Sequence, residues 1–98
     1  MSERGASDYE VFHFRDAKGA EVDFVLESER GHVVGVEVKA ARTVDASDFR
    51  GLRKLRDVAG DRFARGIVLH PCSRARSFGD GLEAWPISSL WAGSPLSE

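Results

Sequence analysis

The order of its side-chain periods leaves this chain few folds. Strand side chains alternate with a period of two, whereas helical ones recur every three or four residues. "YEVFHF" alternates aromatic and branched residues with others, and "EVDFVLE" repeats the alternation after the turn residues of "RDAKGA". Tyr9–Phe14 and Glu21–Glu27 therefore read as a hairpin. "SERG" leads into a third strand, "HVVGVEVKA", so the chain begins as an antiparallel meander. The period then changes. In "DASDFRGLRKLRDVAG", Phe49, Leu52, Leu55 and Ala59 recur at helical spacing, with Asp45 or Ser47 placed to cap the start and Gly60 to end it. Gly51 lowers helix propensity by about 1 kcal/mol relative to Ala, which points to close packing at that position.

"RGIVLH" follows as a short, nearly continuous apolar strand of the kind buried on both faces. A strand, helix and strand at this spacing imply a right-handed crossover and a fourth strand parallel to the third. "LEAWPI" adds a last short strand, and "ISSLW" a terminal helical turn with Leu90 and Trp91 as an apolar plug. Residues 1–8 are small and polar, and fraying is expected there. The reading is one α/β domain over residues 1–98: a mixed sheet with an antiparallel meander, then a crossover helix and a parallel strand.

A chain of 98 residues has room for one modest core. No apolar run approaches the ~20 residues of a membrane helix, and "MSERGASDYE" has no apolar signal core. A single cysteine, Cys72, excludes an internal disulfide and fits a reducing cytoplasm; no pattern marks it as a nucleophile. The formal charge of −2 argues against a basic nucleic-acid binder as a whole. Yet from Arg50 to Arg76 eight basic residues face only Asp57 and Asp61, which is either a solvated surface or a local attraction for phosphate. Arg50, Arg53 and Lys54 are the candidate nucleic-acid contacts.

Two acids and a lysine, Asp23, Glu37 and Lys39, interrupt the most apolar part of the chain. Parity sorts them. Val34, Val36 and Val38 share one face of the third strand; Val33, Gly35, Glu37 and Lys39 share the other. If the valine face and Phe24 pack under the crossover helix, Asp23, Glu37 and Lys39 converge on the opposite face. Two carboxylates beside an ammonium suit metal-assisted phosphodiester cleavage. Hard oxygen ligands hold Mg²⁺, the metal acidifies a bound water, and the lysine orients that water or stabilises developing charge. The Val38 carbonyl, between the two side chains, is a further candidate ligand. A solvent-facing cross-strand ion pair would show the same spacing.

The acid and the E-x-K on consecutive strands, with a helix and an apolar strand following, resemble the PD-(D/E)xK nuclease superfamily. More closely, "FHFRDAKGAEVDFVLE", "VVGVEVKAA", "DFRGLRKL" and "DRFARGIVLH" resemble the C-terminal domain of a family of prokaryotic AAA-type ATPases. That domain has no assigned function and is similar in fold to archaeal Holliday-junction resolvases. The resemblance runs from about Tyr9 to Trp91. It implies a restriction-endonuclease-like fold, Asp23 and Glu37 as ligands of Mg²⁺ or Mn²⁺, and Lys39 as catalytic lysine. It also implies metal-dependent hydrolysis of DNA or a degenerate relative of it, or else a non-catalytic accessory module. Two departures stand out: "MSERGASD" has no helical pattern where the superfamily usually carries a first helix, and no G-x-x-x-x-G-K-[ST] phosphate loop is present. Without that helix one sheet face is left for a homodimer or a larger protein partner.

The remaining chemistry-bearing residues form no set. His13, His32 and His70 lack metal-ligand spacing, and Ser88 and Ser89 lack a nucleophile-elbow context. Trp85 and Trp91 read as packing residues rather than base-stacking ones.

Overall fold

The computed structural model describes residues 9–89. Within these residues six strands form one sheet: β1 (Tyr9–Arg15), β2 (Glu21–Ser28), β3 (Val33–Val38), β4 (Phe63–His70), β5 (Arg76–Gly79) and β6 (Leu82–Pro86). The order is β1-β2-β3-β4-β6-β5. β1–β2 and β2–β3 are antiparallel; β3–β4 and β4–β6 are parallel. Helix α1 (Arg50–Ala59) carries the chain from β3 to β4. This is the mixed arrangement anticipated above, a meander followed by a crossover helix and a parallel strand. Residues 1–8, Leu90 and Trp91, on which the fraying and the apolar plug were expected, lie outside the described residues. Among the described residues no helix is long and apolar enough to cross a membrane.

Local chemistry explains the boundaries. The Asp45 carboxylate accepts from the Ser47 N–H at 2.9 Å, and the Asp48 carboxylate accepts from the Asp45 N–H at 2.9 Å. This reciprocal box starts a short 3-10 turn, Ala46–Phe49, from which α1 grows. Gly60, at φ +60°, ends α1 where a side chain would be strained. β5 was not anticipated. It is a four-residue edge strand with little alternation to read, and it exists because Gly79, Asp80 and Gly81 turn through positive φ back into β6.

The core lies between α1 and one sheet face, with Phe49, Leu52 and Leu55 over Val22, Val25, Val33 and Val68. The face is the opposite of the one expected. The Val34–Val36–Val38 face does not meet the helix; Val33 and Gly35 do, while Phe24 is 48% exposed. Gly35 is the reason on β3: a Cβ there would sit 2.7 Å from both Leu52 and Leu55. On β2 the reason is a β-bulge. Phe12 pairs with Val25 but Phe14 pairs with Val22, so Asp23 and Phe24 together face only His13. The bulge breaks simple parity and lets Val22 and Val25 both face the helix.

Candidate active site

The bulge ends the β2–β3 ladder, whose last paired residues are Phe24 and Val36. Beyond that point the strands are joined through side chains. The Glu37 carboxylate accepts the Asp23 N–H at 2.9 Å, and the Asp23 carboxylate accepts the Val38 N–H at 3.0 Å. Each acid thus satisfies a main-chain donor of the other strand, and the two carboxylates are brought into contact. The Lys39 Nζ lies 3.9 Å from Glu37 Oε2. Asp23, Glu37 and Lys39 therefore meet, at the gap between β2 and β3 rather than on the face away from α1.

The Glu37 side chain is only 14% exposed. Burial pushes its carboxyl above the ordinary range, and the negative charge of Asp23 and a side-chain hydrogen bond with it push the same way. The Asp23 N–H and the Lys39 ammonium pull in the opposite direction without cancelling the effect. Such a site favours a proton or a cation. The Lys39 N–H donates to the Leu69 carbonyl of β4, so the Val38 carbonyl, across the same planar peptide, faces the β2 side. Two carboxylates and a carbonyl facing one gap are hard oxygen donors of the kind Mg²⁺ takes with water and a substrate phosphate. The donor set fits the metal. Among the described residues no group of three or more His, Cys, Asp or Glu side chains is placed to hold a metal ion.

Glu37 and Lys39 also line a cleft of about 250 Å³, closed by the β1–β2 turn on one side and the start of α1 on the other. Glu21, Asp48 and Arg50 line it with them. Arg50 was a sequence candidate; Glu21 and Asp48 were not, and both are occupied. Glu21 pairs with Arg15 at 3.1 Å, and Asp48 closes the capping box. Their position was legible only through Gly51: a Cβ on it would lie 2.0 Å from the Glu21 carbonyl oxygen, so α1 touches the start of β2. Of the other basic candidates, Arg53 donates to the Ala46 carbonyl at 2.7 Å. Lys54 and Arg50 act on Asp16, whose carboxyl is held below its ordinary range chiefly by the Ala20 N–H and further by these two cations. Residues 50, 53 and 54 share one stripe of the helix.

The family described as "Domain of unknown function (DUF4143)" matches residues 1–90. No curated protein matches the chain. Among solved structures, "Structure of EndoMS-dsDNA2 complex" aligns at 26% identity with a TM-score of 0.44. That alignment covers 66% of this chain and 29% of the other, so the present chain spans less than a third of the length of the one it matches.

Proposed function

Because the chain belongs to the family described as Domain of unknown function (DUF4143), we propose a function from its own site: metal-dependent phosphodiester hydrolysis of DNA, or a degenerate form of it. The observation that carries this reading is the brace in which Asp23 and Glu37 each hold the other strand's backbone, with Lys39 beside them. Asp23, Glu37 and the Val38 carbonyl would hold a Mg²⁺ or Mn²⁺, which when bound supplies an acidified water and neutralises charge on the phosphate. The chain's own residues do the rest. The Lys39 ammonium, restrained by Glu37, orients the attacking water and offsets the charge that develops on the phosphoryl oxygens. The backbone donors at Asp23 and Val38 fix one oxygen of each carboxylate, so neither acid rotates away. Arg50, at the cleft, and Arg53 and Lys54 beside it face the approaching phosphates.

Slow turnover is expected, because two carboxylates leave part of the coordination to water and substrate. The test is incubation of the chain with branched and single-stranded DNA and Mn²⁺, beside a Glu37→Ala control. Cleavage in the native chain and none in the control supports the reading; equal faint cleavage in both removes it. One observation favours a second reading, a non-catalytic accessory module related to the C-terminal domain of an ATPase. The two bonds of the brace close the sheet whether or not a metal binds. A thermal melt with Mn²⁺ separates the two, since only a metal site gives stabilisation that Asp23→Ala and Glu37→Ala abolish. The partners that go with these readings are DNA for the first, and a second copy or a larger protein for the apolar sheet face.

A further inference from the structure

A crevice of about 750 Å³ opens beyond the carboxyl ends of β3, β4 and β6. Its walls come from the three connections that leave those strands: Arg42 and Thr43 after β3, Cys72 and Ser73 after β4, and Ser88 after β6. We propose that this crevice takes a phosphate group of a nucleic-acid strand whose neighbouring phosphate lies at the Asp23–Glu37–Lys39 site. The nucleic-acid source rests on the nuclease-like reading above; the anion chemistry does not.

The lining selects the ligand. Among the described residues no acid lines the crevice, in contrast to the cleft beside Glu37. Arg42 has no carboxylate partner, and Thr43, Ser73 and Ser88 make no side-chain hydrogen bond, among the described residues. A guanidinium and three hydroxyls offer donors in several directions, which matches a group that can only accept. Outside the carboxyl ends of strands is also where open α/β sheets take their ligands.

The frame is held in place. His70 is buried at the end of β4, and its Nδ1 lies 3.1 Å from the Ala41 carbonyl. A carbonyl can only accept, so Nδ1 carries the proton and ties the residue before Arg42 to β4. Arg42 follows Lys39 by three residues, so their Cα atoms stand at most about 10 Å apart. One strand of nucleic acid can reach both.

Cys72, the chain's single cysteine and half-buried in the crevice wall, provides the readout. Its alkylation by a maleimide is followed by mass spectrometry with EDTA present, so that no cleavage is needed. The arms are no ligand, a short oligothymidylate, and inorganic phosphate at the same phosphate concentration. Each is run on the native chain, Arg42→Ala, and Arg30→Ala in the β2–β3 turn, with fluorescence anisotropy of the labelled oligonucleotide in parallel.

The oligonucleotide is expected to slow alkylation in the native chain and in Arg30→Ala but not in Arg42→Ala. Arg42→Ala should also bind it on the order of tenfold more weakly, with a log–log salt slope lower by about 1. Binding with unchanged Cys72 alkylation, protection that survives Arg42→Ala, or no binding at all would overturn the proposal. Protection by inorganic phosphate alone would overturn the nucleic-acid source and leave a free-anion site. Failure of the nuclease reading shows elsewhere, as equal cleavage by the native chain and Glu37→Ala, and leaves Cys72 protection intact.

Discussion

Glu37 sits in the least exposed part of the site and carries the strain of it. Its carboxyl is raised above the ordinary range, chiefly by burial, so the fold disfavours its charged form. The sign for stability follows from linkage. Below the ordinary carboxylate range, about pH 4, both folded and unfolded chains hold the proton and Glu37 contributes no pH dependence. As pH rises past that point the unfolded chain releases its proton first, and the fold loses stability until the raised folded value is passed. Glu37→Gln keeps an acceptor for the Asp23 N–H and removes the buried charge. Its melting temperature should therefore equal or exceed that of the native chain at pH 7, with the gap closing as pH falls toward 4. A variant that melts lower at pH 7 would show that the Lys39 contact outweighs burial. Mn²⁺ should reverse the order, raising the native chain above Glu37→Gln.

At the scale of elements, two contacts position α1 and both can be tested by denaturant unfolding. Replacing Gly51 with Ala gains about 1 kcal/mol of helix propensity. The new Cβ, however, would lie 2.0 Å from the Glu21 carbonyl oxygen, a backbone atom that cannot move aside alone. Overpacking of this kind costs about 3 kcal/mol or more, so Gly51→Ala should be net destabilising by about 2 kcal/mol or more. A neutral result would mean that α1 is not seated against β2 as described. Asp45→Ala removes one half of the capping box, and a loss of about 1 kcal/mol is expected. Because Asp48 and Arg50 reach the cleft from this same turn, both variants should also weaken any Mn²⁺ stabilisation, through geometry and not through a lost ligand.

Taken whole, the molecule is a slab, 38 × 37 × 21 Å, with α1 on one side of the sheet. The other side presents Tyr9, Val11, Phe24 and Val38, which are 51%, 62%, 48% and 39% exposed, beside Val34 and Val36. Contiguous exposed apolar surface of this kind marks an interaction face. A second copy is the simplest cover, since a twofold axis brings the same face to itself. Sedimentation should show concentration-dependent dimerisation, weakened on the order of tenfold by Phe24→Ser, which removes about 1.5 kcal/mol or more of apolar burial. A monomer at high concentration would rule out self-association through this face.

The change of period at Asp45 was enough to order the elements, because alternation and helical recurrence are local properties that each segment carries by itself. The capping role of Asp45, the stop at Gly60 and the burial of Gly66–His70 were legible for the same reason. So was the pairing of Glu37 with Lys39, two residues apart on one strand. The sheet face was not. Parity assumes an unbroken strand, and one extra residue at Asp23–Phe24 inverts it, a fact visible only when β1 lies alongside. β5 was hidden too, since an exposed edge strand of four residues has no core to pattern it. Glu21, Asp48 and the crevice at Arg42 come from segments distant in sequence, and only chain packing sets them around the site. Local chemistry chose the elements; the bulge and two glycines, Gly35 and Gly51, decided which side of the sheet α1 would cover and where its end would meet β2.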